Sequence, residues 1–119
     1  MTTTAAQHYS DLSAEYLRKA HAHLAEGDLT QASEKGWGAA AVGVKAVAEA
    51  RGVNHSTHRQ IRQAIQMLAK ERGDDEIRSC FGHANDLHIN FYEDWLDQET
   101  IELYLSQVER LITKLDALA

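Results

Sequence analysis

Three glycines divide the chain. Gly27, Gly52 and Gly73 each follow a stretch of helical periodicity, where a left-handed C-cap is wanted. Each is followed closely by residues of capping type: Asp28 after Gly27, Asn54 and Ser56 after Gly52, Asp74 and Asp75 after Gly73. The chain contains no proline, so nothing interrupts a helix from within. Together these marks predict five helices over roughly 9–26, 29–51, 57–72, 75–95 and 98–118. The turns between them are short, so neighbours are expected to run antiparallel. The expected fold is an all-α, up-and-down antiparallel bundle of four to five helices in a single domain, residues 1–119.

A domain of 119 residues can bury a core without disulfides or metal. The first helix carries Leu12, Tyr16, Ala20 and Leu24 at four-residue spacing. In the second, Trp37, Ala41, Val44 and Ala48 form one stripe, and Gly36, Ala40 and Gly43 a second stripe of small residues where another backbone can come close. That stripe is expected to make an intrachain contact rather than a dimer seam. The third helix shows Ile61, Ala64, Ile65 and Leu68. The last shows Ile101, Tyr104, Leu105, Val108, Leu111, Ile112, Leu115 and Leu118, with charges outside the pattern. No segment alternates as a strand. The first two helices resemble a helical-repeat hairpin, but an array needs several copies and only one is present.

The net charge of -6 argues against a protein that coats nucleic acid nonspecifically, while leaving room for a local basic pocket. One cysteine, Cys80, rules out an internal disulfide and is expected to act as a small buried hydrophobe rather than a nucleophile. The first residues, MTTTAAQHYS, lack the basic and apolar regions of a signal peptide. The smoothest apolar stretch, GAAAVGVKAVAEA, is too short and too polar to span a bilayer. A cytoplasmic protein without a membrane partner is the expectation.

The stretch HANDLHINFYEDW, residues 83–95, concentrates groups that donate, accept and titrate. Set on a helix at about 100° per residue, Phe81, Ala84, Phe91 and Trp95 share one side, with Tyr92 beside them. His83, Asp86, Asn90 and Asp94 take the other side and read as a solvated face. His88 falls in the middle of the apolar side. There an imidazole needs a partner or costs free energy. It is either a structural histidine bonded within the bundle or a proton-transfer group in a cleft, with Asn85 and Tyr92 lining the flank.

Two blocks, LAEGDLTQASEKGWGAAAVGVKAVAE and ANDLHINFYED, together about a third of the chain, resemble the HEPN superfamily of small helical bundles. Within it they are most similar to an archaeal PaREP-type branch. The residues that carry the likeness are Gly27, Asp28, Ala32, Lys35, Trp37, Ala40 and Lys45, then Leu87, His88, Asn90, Phe91 and Tyr92. The resemblance implies a bundle, commonly a homodimer, in a class of RNA- and nucleotide-associated domains. Many members are metal-independent ribonucleases that use an Arg and, four to six residues later, a His. There the His promotes attack by the ribose 2′-hydroxyl and the Arg steadies the phosphate. Transferred to this chain, His88 is the candidate catalytic group, but the position five before it is His83 rather than Arg. The literal match is Arg78 with His83. Their side chains diverge by about 140° on a straight helix, unless Gly82 breaks it. The resemblance therefore implies an RNA- or nucleotide-binding module, at most a weak or degenerate ribonuclease. The alternative is a noncatalytic module that pairs with a nucleotidyltransferase-type partner protein, in a toxin–antitoxin-like arrangement.

Further basic residues, Arg51, His55, His58, Arg59 and Arg62, cluster around the second turn and the start of the third helix. They are solvated charge or a phosphate-contacting rim led by Arg59 and Arg62. Neither His21 with His23 nor His55 with His58 has an evident third and fourth ligand, so no metal and no cofactor are expected. Lys35 and Lys45 are expected to lie along the bundle surface, and Trp37 to belong to the core.

Overall fold

The computed structural model describes residues 4–118. It contains α1 (Ala5–Ala25), α2 (Leu29–Arg51), α3 (His58–Arg72), α4 (Glu76–Glu93) and α5 (Gln98–Asp116), and the described residues include no strand. Helix α1 starts four residues before the expected boundary because Thr4, not a later residue, accepts from the Gln7 N–H. Asp28 caps α2, and Asp97 caps α5. Thr57 and Gln60 form a capping box at α3, a role the sequence reading gave to Asn54 and Ser56. Gly27, Gly52 and Gly73 all take positive φ, at 78°, 69° and 61°.

The helices pack as an all-α bundle around α2. Ser13 of α1 donates to the Ala39 carbonyl at 2.7 Å, and Lys35 lies over the Tyr16 ring at 5.1 Å, so α1 and α2 run antiparallel. Ser33 meets Asn90 and Trp37 meets Phe81, which sets α4 antiparallel to α2. His83 against Tyr104 and Glu76 against Arg110 set α5 antiparallel to α4. Helix α3 starts against the middle of α2, where His58 meets Trp37, and ends beside its last turn, where Arg51 pairs with Glu71. Residues 52–57 therefore return along α2, pinned by Lys45, whose ammonium donates to the His55 carbonyl at 2.7 Å.

The stripe of small residues is an intrachain contact. A Cβ on Gly36 would lie 2.6 Å from Leu105 Cδ2 and 2.9 Å from Leu87 Cδ1. Both leucines are fully buried. Gly43 is less crowded, with a Cβ placed 3.3 Å from Ser13 Oγ and 3.5 Å from Leu115 Cδ1. Trp37 is buried in the core, as are Leu87, Ile101, Leu105, Val108, Leu111 and Leu115.

Helix α4 departs from its sequence reading at the C-terminus. Asn90, assigned to a solvated face, is completely buried, and Trp95, assigned to the core side, is 66% exposed. The helix ends at Glu93, with Asp94 at φ 52° as its left-handed C-cap. The Asn90 side-chain oxygen then accepts from the Trp95 and Leu96 N–H groups at 2.8 Å each. The buried face is Ile77, Cys80, Phe81, Ala84, Leu87 and Asn90. The apolar weight of Phe91, Tyr92 and Trp95 pointed to a neighbouring direction. His83 is also half-buried rather than solvated, its ring stacked on Tyr104 at 4.7 Å.

Two glycines with the same helical backbone predict opposite effects. No heavy atom lies within 4 Å of a Cβ built on Gly82. Gly82→Ala is expected to stabilise by about 1 kcal/mol through helix propensity. In Gly36→Ala the same gain is outweighed by an overpacking cost of about 1–3 kcal/mol. Urea midpoints of the two variants should move in opposite directions.

The ends of α4 and α5 are joined by Lys114, which reaches Asp74 at 2.6 Å and Glu76 at 3.1 Å. The ammonium holds the Asp74 carboxyl below the usual carboxylate range, and Asp74 raises Lys114 above the usual lysine range. A depressed carboxyl stabilises the fold above its unfolded pKa and loses that contribution as the pH falls through the folded value. The raised lysine contributes below its unfolded pKa and loses its share as the pH rises through the folded value. Lys114→Met should therefore lower the melting temperature near neutral pH. Its deficit against the parent should shrink as the pH falls from the unfolded carboxyl pKa of about 4 through the lower folded value of Asp74.

Candidate functional site

Helix α4 carries a second stripe beside its buried one. Arg78, Phe81, Asn85, His88 and Tyr92 recur at alternating spacings of three and four and so share one side of the helix. His88 is the centre of an aromatic group on that side. Its ring stacks on Trp37 with centroids 4.8 Å apart and planes at 27°. His58 meets it edge-on at 5.4 Å from α3, and Tyr92 meets it edge-on at 5.7 Å from the next turn of α4. His58 also meets Trp37 at 5.4 Å, so three helices contribute to one cluster.

Glu34 lies one turn before Trp37 on α2 and brings a carboxylate to this cluster. Its Oε2 is 3.8 Å from His88 Nδ1. That separation is too long for a hydrogen bond, and the pair is ionic only when the imidazole is protonated. Both atoms are buried without a hydrogen-bond partner among the described residues. The His88 side chain nevertheless keeps 24% of its surface exposed. The imidazole is thus held by stacking, oriented toward a carboxylate on one nitrogen and still open to solvent. Such a group can exchange a proton with a ligand.

The remaining sequence candidates separate into groups. Asn85 is half-buried on the stripe next to His88, and Tyr92 is 72% exposed at its end. His83 turns away onto Tyr104, and α4 continues unbroken through Gly82, so His83 converges with neither His88 nor Arg78. Arg78 instead lines a pocket with Arg62, and the Arg62 guanidinium lies 5.9 Å from the Phe81 ring centroid. Arg59, the neighbour of His58, is exposed.

The basic cluster around the second turn is only partly free. Arg51 pairs with Glu71 at 2.7 Å, and His55 with Glu49 at 2.6 Å. His21 is occupied by Glu109. No set of three or more His, Cys, Asp or Glu side chains among the described residues is placed to hold a metal ion. No described helix is long and apolar enough to cross a membrane. Cys80 is buried, and burial pushes its thiol up from the ordinary cysteine range. Lys35 and Lys45 lie along the bundle surface over Tyr16 and Tyr9.

Sequence reasoning missed Glu34 and treated Trp37 as core alone. Their three-residue spacing on α2 was visible, but the register of α2 against α4 was not.

The whole arrangement has a structural counterpart. A protein from Sulfolobus solfataricus, known from a crystal structure, has the same fold at a TM-score of 0.79 and 21% sequence identity. The match covers 99% of this chain and 98% of that one. A comparison with curated proteins found no match. The model of the Archaeal PaREP1/PaREP8 family matches residues 8–112, which include α2, α3 and α4 whole, most of α1 and α5, and the His88 cluster, and the chain belongs to that family.

Proposed function

We propose that this chain is a HEPN-like helical module associated with RNA or nucleotide binding, with a weak or degenerate metal-independent ribonuclease activity centred on His88. The observation that supports this reading is the His88–Glu34 pair. Two buried, unpartnered groups face each other at 3.8 Å beneath a partly exposed ring. A carboxylate near Nδ1 favours the tautomer that leaves Nε2 free as a base. In an RNA complex that nitrogen takes the proton of a ribose 2′-hydroxyl. Tyr92, one turn after His88, offers a base a stacking face, and Asn85, one turn before it, a hydrogen-bonding edge. Arg78 lies ten residues from His88, about 15 Å along the helix, too far for the role of the family arginine at the reacting phosphate. His83 faces away, so no guanidinium substitute stands there, and the turnover is correspondingly slow.

The test is cleavage of a mixed RNA pool without added metal, comparing the parent with His88→Ala at matched purity and matched melting temperature. Weak cleavage that falls by about 10²-fold in the variant is expected. Equal cleavage by both proteins would overturn the catalytic part of the reading.

The second reading is a noncatalytic module that pairs with a second copy of the chain or with a nucleotidyltransferase-type partner. It is favoured by the exposed apolar surface at the end of α4, where Tyr92 is 72%, Trp95 66% and Ile89 37% exposed. Sedimentation of the parent at high micromolar concentration should show a dimer, and Trp95→Glu should shift it to monomer. A parent that sediments as a monomer throughout sinks the homodimer.

A further inference from the structure

Outside the His88 cluster, α3 and α4 enclose a pocket of about 230 Å³. Arg62, Ile65 and Gln66 line it from α3, and Arg78, Phe81 and Gly82 from α4. Its charge is one-sided. Two guanidiniums share the lining, and no acidic residue belongs to it. In a chain with net charge -6, carboxylates are plentiful, and Arg18, Arg51 and Arg110 each pair with one. Arg62 and Arg78, like Arg59 and Arg72, form no ion pair among the described residues, and they are the two that line one pocket. Two like charges beside one void favour an anion there.

The walls narrow the kind of anion. The pocket is smaller than the roughly 300–1,000 Å³ of typical small-molecule sites. It suits a single compact group rather than a whole nucleotide. Guanidiniums match the geometry of phosphate oxygens, and Gln66 adds a neutral donor. Gly82 keeps the mouth open, since no heavy atom stands within 4 Å of where its Cβ would be. Phe81, in the same wall, lies seven residues before His88 on the same side of α4, about 10 Å along its axis. A group bound in the pocket thus leaves the rest of its molecule within reach of the His88 ring.

We infer that the Arg62–Arg78 pocket holds a terminal phosphate, of a free nucleotide or of an RNA end, with the attached nucleoside directed toward His88. This inference rests on the nucleotide and RNA reading above and adds the anchoring group. It also assigns Arg78 a role with Arg62 across the helix pair, instead of with His83 along one helix.

The experiment measures binding of adenosine, adenosine 5′-monophosphate and one short RNA carrying either a 5′-phosphate or a 5′-hydroxyl. The proteins are the parent, Arg62→Met, Arg78→Met and Gly82→Leu, each checked for an unchanged melting transition. All three positions are solvent-exposed, so the fold does not depend on them. The phosphorylated form should bind about tenfold tighter or better than its hydroxyl counterpart in the parent. That preference should vanish in both arginine variants and in the pocket-filling Gly82→Leu, and it is read as the ratio of the two RNA affinities within each protein, because loss of a cation weakens every RNA through its backbone phosphates. A preference in the mononucleotide series or in the RNA series supports the pocket, and the series that shows it names the source of the phosphate. Equal affinity for both RNA forms, unchanged by the arginine variants, overturns the pocket and leaves RNA binding standing. Absence of binding by every ligand to the parent overturns both.

Discussion

One buried amide fixes the corner from which the rest of the bundle takes its geometry. Asn90 donates to Ser33 Oγ at 2.9 Å, and that hydroxyl donates to the Leu29 carbonyl at 2.8 Å. On its other side the Asn90 carbonyl oxygen accepts the two N–H groups that open the turn into α5. The chain of bonds runs from the first turn of α2, through the last turn of α4, into the next loop. It sets where α4 stops and which side of α4 faces α2. A buried network of this kind is stable only when every member is satisfied. Replacement of Asn90 by an apolar residue would take the acceptor from the part-buried Trp95 and Leu96 N–H groups and the amide donor from Ser33 Oγ.

The rotation of α4 that this amide imposes explains which parts of the molecule were legible in the sequence. Helix number and most boundaries followed from glycine C-caps and capping residues, because those signals are local. The α5 pattern was complete for the same reason: Ile101, Leu105, Val108, Leu111 and Leu115 repeat without conflict, and all are buried. Helix α4 has two competing stripes, and local hydrophobicity favours the wrong one. The turn toward the core was decided by a polar residue making three hydrogen bonds, which no hydrophobic count detects. The His88 cluster was legible at its centre and at Tyr92 on the same helix. An imidazole on an apolar face was anomalous in the sequence, but Glu34, Trp37 and His58 reach it from other helices, and interhelical register is a tertiary property.

The same register determines what kind of site the molecule presents. His88 does not depend on a hydrogen bond for its position. It is held as a plate between rings, by Trp37 on its face and His58 and Tyr92 at its edges. Dispersion and quadrupole contacts fix the plane while leaving the nitrogens uncommitted. A histidine committed to a backbone carbonyl would be better satisfied and chemically quieter. His83 shows a related arrangement on the opposite side, stacked on Tyr104, but without a carboxylate or a second imidazole beside it.

The two stripes of α4 are offset by a single residue. Ile77, Ala84 and Leu87 face inward, and Arg78, Asn85 and His88 follow each of them immediately on the outer side. The scaffold and the exposed chemistry are therefore written in interleaved positions of one helix and draw on different side chains. On α4 Phe81 serves both, as a core residue and as a wall of the arginine pocket, as Ile65 does on α3. Most of the outward stripe is free to drift in sequence without disturbing the packing beneath it. A bundle built this way can keep its shape while its ligand preference diverges, and Phe81 is the point where a change in one would be felt in the other.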